Sequence, residues 1–153
     1  MDKTEILKEK LADAEVVLIG IGEEFNEKFD RIAEHEQLVK GLELVDAKEE
    51  LAWMVPYFEK IYLQEQNQSD ILSAYRNLYE LVKDKNYYIV TTCIDGLIQK
   101  AGFKPEKIVE PCGNYEKMQC SAKCSTRLYE SEEYANKIKE ALQDGTLEQV
   151  EQS

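Results

Sequence analysis

The sequence holds few of the residues and segments that mark specialised classes of protein. Its 153 residues include only 3 prolines, 7 glycines and one histidine. No apolar run approaches the ~20 residues that cross a bilayer, and the start of the chain lacks the basic and apolar stretches of a secretory signal. These shortages exclude collagen-like, low-complexity and membrane-spanning chains, and they predict a cytoplasmic protein.

Basic residues are also scarce. The chain carries 19 lysines and arginines against 31 aspartates and glutamates, a formal charge of −12. Such a chain repels nucleic-acid phosphates and anionic lipid headgroups, so neither nucleic acid nor a membrane is expected as a partner. A small anionic cofactor stays compatible, because a few local donors can hold it. Apolar residues make up 43% of the chain, which is enough for one folded domain.

Cysteine and histidine limit the chemistry to be expected. Four cysteines in a cytoplasmic chain are more often reduced thiols or metal ligands than disulfides. Three of them crowd into residues 111–126, where proline, glycine, asparagine and serine are also frequent. His35 lies between Glu34 and Glu36 in a predicted helix, and we interpret it as a solvated surface residue.

Short apolar runs alternate with amphipathic stretches along the chain. Runs rich in β-branched or aromatic residues, typical of buried parallel strands, occur at 15–19, 87–91 and 107–110. Helical patterns occur at 4–13, 23–40, 70–82, 94–101 and 131–143. A further helix, capped by Asp46, is predicted to kink or break at Pro56. This alternation predicts an α/β fold with a parallel sheet.

Glycines and capping residues predict where several helices begin and end. Gly41 is predicted to end the helix over 23–40, and Gly145 the last helix. Ser69 or Asp70 is predicted to begin the helix over 70–82. The polar residues beyond Gly145 are expected to form a mobile tail.

A pair of glycines follows the first predicted strand. Gly20-x-Gly22 lies between this strand and a predicted helix, the place where dinucleotide-binding loops occur. Glycines there let the backbone approach a pyrophosphate, whose charge a helix N-terminus favours. Phe25 stands where the usual fingerprint has a third glycine, and Glu23 and Glu24 already occupy the helix start. A nucleotide-binding loop and a simple strand-to-helix turn both remain open.

Four segments of the chain resemble one protein family. Residues 91–102, TTCIDGLIQKAG, resemble the sirtuin motif TQNIDGLxxxAG, and residues 108–113, IVEPCG, resemble the sirtuin active-site turn V-x-E-x-H-G. Cys120 and Cys124 match the first cysteine pair of the sirtuin zinc module, and Gly20-x-Gly22 falls at the family's GAG loop. On these matches the chain is identified as a divergent member of the sirtuin family, and we expect it to be truncated.

The resemblance implies a Rossmann-like parallel sheet with NAD as the cofactor and a protein as the acceptor substrate. Sirtuins are NAD-dependent protein deacylases and ADP-ribosyltransferases. By resemblance, the residues that contact NAD are Gly20, Ile21, Gly22, Thr91, Ile94 and Asp95.

Two active-site positions depart from the family. Cys93 stands where sirtuins have the asparagine of TQNIDG, and Cys112 where they have the histidine that is the general base of deacylation. A thiol titrates near ~8.5 and an imidazole near ~6.5, so ordinary deacetylation is doubtful here. Cys93 and Cys112 are candidate catalytic residues as nucleophiles or redox-sensitive groups; alternatively, they only fill the space of the lost side chains. The family's arginine-bearing loop is also absent, because residues 23–29 read EEFNEKF.

The zinc module is incomplete. Cys120 and Cys124 have the spacing of zinc ligands, but a structural site takes four, and no second cysteine pair occurs before Ser153. We therefore divide the chain into a sirtuin-like NAD-binding part (1–111), the first half of a zinc-ribbon-like module (112–130), and an acidic helix with a polar tail (131–153). Because the family's later strands are missing, we expect uncovered sheet surface.

The sequence thus predicts a divergent sirtuin-type NAD-dependent protein deacylase or ADP-ribosyltransferase. ADP-ribosyl transfer is chemically more accessible, because the bond to nicotinamide is labile and a positioned nucleophile with electrostatic stabilisation can suffice. The alternative is a non-catalytic module that binds NAD or ADP-ribose, which the missing base and arginine loop favour. A third interpretation, a small cysteine-based redox or metal protein, requires Cys120 and Cys124 to react without NAD.

Overall fold

The computed structural model, which describes residues 2–66 and 69–152, is built around a parallel sheet. Its strands are β1 (Val16–Ile21), β2 (Asn86–Thr91) and β3 (Ile108–Val109), hydrogen-bonded in the order β1-β2-β3. Both pairings are parallel, so the predicted α/β class is confirmed. Strand β1 runs further than predicted and includes Gly20 and Ile21.

The helices surround this sheet unevenly. The α-helices of the described residues are α1 (Lys3–Asp13), α2 (Glu36–Ala47), α3 (Val55–Glu65), α4 (Asp70–Val82), α5 (Leu97–Lys100) and α6 (Glu132–Asp144). Short 3₁₀ helices span Glu23–Phe25, Ile32–Glu34, Glu49–Met54, Pro105–Lys107 and Leu147–Gln149. None of these α-helices, as far as residues 2–66 and 69–152 show, combines the length and apolarity that a membrane crossing requires.

Several predicted helix ends are confirmed. The Ser69 hydroxyl accepts the Leu72 N–H at 2.9 Å and begins α4. Gly145, with φ of 68°, ends α6 in the left-handed conformation that glycine adopts without a steric penalty. Pro56 lies in the first turn of α3, directly after a 3₁₀ helix, so the predicted break occurs there.

The helix predicted over 23–40 is wrong. Only short 3₁₀ helices form over residues 23–35, and α2 begins at Glu36. Asp46 consequently lies in the last turn of α2 instead of capping a new helix. The amphipathic pattern is misleading here. Residues 26 and 27 use polar groups to bind the loop after β2, and the backbone of this stretch is not α-helical.

The predicted helix end at Gly41 is wrong, and His35 has a role at α2 that the sequence did not indicate. Gly41 is inside the helix, where a Cβ would lie 2.8 Å from Leu142 and 3.0 Å from Phe58, so glycine permits close packing there. His35 precedes the helix, accepts the Leu38 N–H at 3.3 Å, and lies 2.9 Å from a Glu65 carboxylate oxygen. Its interpretation as a solvated residue is therefore wrong, since it is a partly buried capping residue.

The two faces of the sheet have different neighbours. One face packs against α4 and α5, and its strand residues are Val17, Ile19, Ile21, Tyr87, Ile89, Thr91 and Ile108. The opposite face is exposed and apolar, and its residues are Val16, Leu18, Gly20, Tyr88, Val90 and Val109. We call these the covered face and the bare face. The uncovered surface expected from the sequence is the bare face.

A second hydrophobic cluster lies among helices. Residues of α2, α3 and α6 pack together around Leu38, Phe58 and Ile138, each of which is essentially inaccessible to solvent. Leu147 is also buried in this cluster, so the stretch after Gly145 is docked here and not the fully mobile tail that was expected. Preceding α6, β4 (Lys117–Met118) pairs antiparallel with β5 (Tyr129–Glu130).

Candidate functional site

The candidate site lies at the carboxyl ends of β1 and β2. These strands run parallel and end side by side, and the Thr92 N–H donates to the Ile21 carbonyl at 3.1 Å just beyond them. In open α/β sheets, ligands bind outside the carboxyl ends of the strands. The residues predicted at 20–22 and at 91–95 are therefore brought to one edge of the sheet.

Cys93 is buried at this edge and joins the loops that follow β1 and β2. Its thiol donates to the Gly22 carbonyl at 3.1 Å, and its N–H donates to the Thr91 hydroxyl at 3.0 Å. The side chain is only 2% exposed. This arrangement favours the interpretation of Cys93 as a packed thiol over that of an accessible nucleophile.

Asp95 presents a buried carboxylate beside Cys93. One oxygen accepts the Leu97 N–H at 3.0 Å and the other accepts the Glu27 N–H at 2.8 Å, while the residue is 6% exposed. Burial raises the pKa of Asp95 above the usual range, and the two N–H donors oppose that shift. Gly96, with φ of 70°, forms the tight turn between Asp95 and Leu97, whose N–H reaches back to the carboxylate.

The segment between β1 and α2 closes over Asp95. The Asn26 side-chain oxygen accepts the Ile94 N–H at 2.9 Å, next to the contact between Glu27 and Asp95. The sequence predictions missed both residues as parts of the site. Their position shortly after Gly20-x-Gly22 could have indicated that they lie near the site. The helix predicted over 23–40 concealed this indication.

Three buried polar atoms near Asp95 have no hydrogen-bond partner within the described residues. They are the Tyr75 hydroxyl, one oxygen of Glu27 and one oxygen of Glu110. Burial raises the pKa of Tyr75, with the neighbouring Cys93 thiol and the Asp95 and Glu110 charges acting in the same direction. Burial also raises the pKa of Glu110, although Asn114 donates to its other oxygen at 2.8 Å. Unpaired buried acceptors of this kind favour a ligand or water that donates hydrogen bonds.

Cys112 lies in a different environment from Cys93. It is exposed, in a turn where the Gly113 N–H donates to the Glu110 carbonyl at 3.0 Å and Gly113 has φ of 71°. The role of Cys112 as a candidate catalytic residue stays a prediction.

The glycines of the first loop border open space. A Cβ built on Gly20 or Gly22 would meet no atom within 4 Å. Gly20 is part of β1, and Gly22 precedes the 3₁₀ helix Glu23–Phe25, so the predicted helix N-terminus is absent from this loop. The loop therefore borders open space without the dipole of an α-helix, and binding of NAD there stays a prediction.

A cleft of about 300 Å³ opens on another side of Asp95 and is bordered by Gln99, Lys100 and Glu116. Lys60 lies in its wall, 2% exposed, with its ammonium 3.1 Å from Glu116, 3.5 Å from Glu132 and 3.3 Å from the Tyr115 carbonyl. Because these partners compensate its charge, Lys60 stabilises the wall and does not act as a free anion receptor.

The candidate zinc ligands Cys120 and Cys124 lie side by side in the loop between β4 and β5, with their sulfurs 2.7 Å apart. A structural zinc site takes four ligands, and this pair supplies two. Over residues 2–66 and 69–152 no group of three or more histidine, cysteine, aspartate or glutamate side chains could hold a metal ion. Bound zinc at this pair stays a prediction.

Comparison with known proteins identifies the family to which this site belongs. A family model described as the Sir2 family matches residues 23–146. The chain belongs to the Sir2 family. A relative from Staphylococcus aureus, named "Protein ADP-ribosyltransferase", is 24% identical over 160 residues, which cover 93% of this Sir2 chain and 50% of the relative. The chain thus spans about half the length of that curated relative.

Proposed function

We propose that this Sir2-family chain holds part of the catalytic site of an NAD-dependent protein ADP-ribosyltransferase. The observation that carries the proposal is Asp95, a buried carboxylate at the carboxyl edge of a parallel sheet, in the segment that resembles the sirtuin NAD motif. The Sir2 match and the name of the Staphylococcus aureus relative support it.

The residues at this edge are compatible with NAD. Open space beside Gly20 and Gly22 would admit the cofactor to the backbone near Ile21, and the segments that carry Thr91, Ile94 and Asp95 adjoin it. NAD, when bound, supplies an ADP-ribosyl group attached to nicotinamide through a labile bond. Asp95 would accept a hydrogen bond from the cofactor with the second lone pair of each oxygen, since Glu27 and Leu97 each occupy one.

Transfer of ADP-ribose suits this set of side chains better than deacylation does. Deacylation in the family uses a histidine base, and Cys112 occupies that position here. The only histidine of the chain, His35, is engaged in capping α2 and in a contact with Glu65, so it does not replace the base. Transfer of ADP-ribose requires the departure of nicotinamide and a nucleophile from the acceptor, and electrostatic stabilisation of the developing charge can drive it.

The two candidate catalytic cysteines receive different roles in this proposal. Cys112 is exposed and could contact a cofactor or an acceptor, whereas the Cys93 thiol is buried and bound to Gly22. We therefore expect Cys112→Ser to change turnover more than Cys93→Ser, which should mainly affect stability. Equal turnover in both variants and in the wild type would exclude a catalytic thiol.

Release of nicotinamide from NAD tests the proposed function. The wild-type protein should release nicotinamide and label an acceptor with ADP-ribose, and Asp95→Asn should lose most of this activity. Asp144→Asn, which changes an exposed carboxylate at the end of α6, is the matched control and should keep it. Circular dichroism establishes that each variant is folded. NAD binding without nicotinamide release would overturn the enzymatic proposal in favour of a binding module.

A further inference from the structure

A buried lysine joins three parts of the molecule. Lys60 lies on α3 with its side chain 2% exposed, and its ammonium is 3.1 Å from a Glu116 carboxylate oxygen and 3.5 Å from a Glu132 oxygen. It also donates to the Tyr115 carbonyl at 3.3 Å. Glu132 begins α6, whereas Tyr115 and Glu116 lie in the segment between β3 and β4. A charge buried to this degree requires compensating partners, so these groups fix the position of the ammonium.

The Glu116 carboxylate lies between this lysine and the turn that follows Asp95. One of its oxygens binds the Lys60 ammonium, and the other lies 3.6 Å from the position that a Cβ on Gly96 would take. The Glu116 side chain thus packs directly against the backbone of the residue after Asp95. Its own backbone is held as well, because the Asn114 side-chain oxygen accepts the Glu116 N–H at 2.8 Å.

Tyr115 makes a second connection to the same loop. Its N–H donates to the Ile94 carbonyl at 3.1 Å, immediately before Asp95. Its carbonyl accepts from the Lys60 ammonium, and its hydroxyl donates to Glu59 of α3 at 2.5 Å. The loop after β2 is therefore connected to α3 through direct hydrogen bonds as well as through the packing of a carboxylate.

We propose that Lys60 and Glu116 are positioning residues that fix the orientation of the Asp95 carboxylate. They do so by holding the backbone turn at Gly96, and neither side chain needs to contact the cofactor. The inference rests on the proposed function, in which Asp95 accepts a hydrogen bond from NAD. A displacement of about 1 Å at a reacting centre can lower the rate about a hundredfold, so a fixed turn affects turnover strongly.

The two carboxylate partners of Lys60 provide a matched pair of variants. Glu116→Gln and Glu132→Gln each remove one negative charge beside the same buried ammonium. Glu116 lies against the turn at Gly96, whereas Glu132 belongs to α6 and accepts from Gln64 at 2.8 Å. If Lys60 only stabilises the fold, the two variants should have the same phenotype. If it positions the turn, they should differ.

Amide hydrogen exchange measures the turn without NAD. The Leu97 N–H donates to Asp95 at 3.0 Å across the turn, so its protection reports whether the turn keeps its shape. We expect Glu116→Gln and Lys60→Met to lower this protection about tenfold, and Glu132→Gln to stay within about twofold of the wild type. Urea denaturation of each variant gives the contribution of global unfolding to exchange. Unchanged protection in Glu116→Gln, or an equal loss in Glu132→Gln, would overturn the proposal.

Nicotinamide release then measures the effect on the reaction. Lys60→Met and Glu116→Gln should lower kcat about tenfold with a smaller change in KM for NAD, and Glu132→Gln should keep both values. The double variant Lys60→Met/Glu116→Gln should lose no more than the weaker single variant, because both residues act on one turn.

Two further results separate this proposal from the proposed function. A wild-type kcat in Glu116→Gln, even with lowered Leu97 protection, would overturn the positioning role. If the wild-type protein releases no nicotinamide, the proposed function fails, and the exchange of the Leu97 amide still decides whether Lys60 and Glu116 hold the turn.

Discussion

The covered and bare faces of the sheet are built from the same three strands, yet they differ sharply in their exposure to solvent. On the covered face, Ile89 is 0% exposed and packs beneath α4 and α5, whereas Leu18 on the bare face is 74% exposed. Both faces are nevertheless apolar, because alternate residues of β1 and β2 are mostly valine, isoleucine, leucine and tyrosine.

This comparison shows that strand composition and strand environment are separate properties. Strands of parallel sheets are usually apolar on both sides, because helices cover both faces of such sheets. Here only one side has helices in the described residues, and the candidate site lies where the covered face meets the carboxyl ends of the strands. The bare face is equally apolar, but no helix of the part of the chain that the structure describes packs on it.

The largest expected difference between the two faces is in the loss of stability when one apolar side chain is truncated on each. Ile89→Ala removes a fully buried side chain from the central strand and should lower the free energy of unfolding by about 2–5 kcal/mol. Leu18→Ala removes an exposed one and should change it by less than about 0.5 kcal/mol. Urea denaturation measures both values. A similar loss in the two variants would mean that the bare face is covered in solution.

The raised pKa of Asp95, which lies at the edge of the covered face, should make the stability of the protein depend on pH. Its folded-state pKa is raised by burial, so the folded chain binds this proton more tightly than the unfolded chain. The free energy of unfolding that this group adds is fully present below its unfolded pKa. It is lost as the pH rises through the folded pKa, in a window that opens upward from the ordinary value of 3.8.

Asp95→Asn should remove that part of the pH dependence. It should also cost about 1–3 kcal/mol at low pH, because an amide has one oxygen for the two N–H donors of Glu27 and Leu97. Urea denaturation at a series of pH values checks both effects. If wild type and variant lose stability in parallel as the pH rises, Asp95 is not the responsible group.

Tyr75 and Tyr87, which belong to the hydrophobic cluster on the covered face of the sheet, should respond differently to loss of their hydroxyl. Tyr75 is buried with an unpaired hydroxyl, so Tyr75→Phe should leave stability unchanged or raise it by about 1 kcal/mol. The Tyr87 hydroxyl accepts the Lys104 N–H at 3.1 Å, and Tyr87→Phe should lower stability by about 1 kcal/mol. Thermal unfolding distinguishes the two. A loss in Tyr75→Phe as large as that in Tyr87→Phe would reveal a hidden partner of Tyr75.

Polar substitutions on the bare face are expected to have the smallest effect on stability. Binding of a dye to apolar surface is therefore the measurement that detects them. Leu18→Ser and Val90→Ser should each reduce the fluorescence of a dye that binds apolar surface, while unfolding changes by less than about 0.5 kcal/mol. Leu81→Ser, an exposed leucine on α4, is the control and should reduce it less. Equal reductions in all three would show that the dye does not bind the bare face.

Local signals in the sequence predicted much of the fold. The three strands, the cap at Ser69, the helix end at Gly145 and the break at Pro56 each depend on residues within a few positions of one another. The contact of Asp95 with NAD, which the resemblance implies, stays a prediction. The contacts of Asn26 and Glu27 with the loop after β2 were missed because each joins residues 68 positions apart. The environment of His35 also depends on a distant residue, Glu65.

The pairing of β1 with β2 has a consequence for the synthesis of the protein. Val16 of β1 pairs with Asn86 of β2, so one strand must wait for roughly 70 further residues to be translated. At about 5–20 residues per second, the wait lasts about 4–14 seconds. During this time an apolar strand emerges from the ribosome without its partner, and such non-local pairing also slows folding. We expect the nascent chain to depend on chaperones during this interval, which pulse-labelling in chaperone-depleted cells would reveal as aggregation.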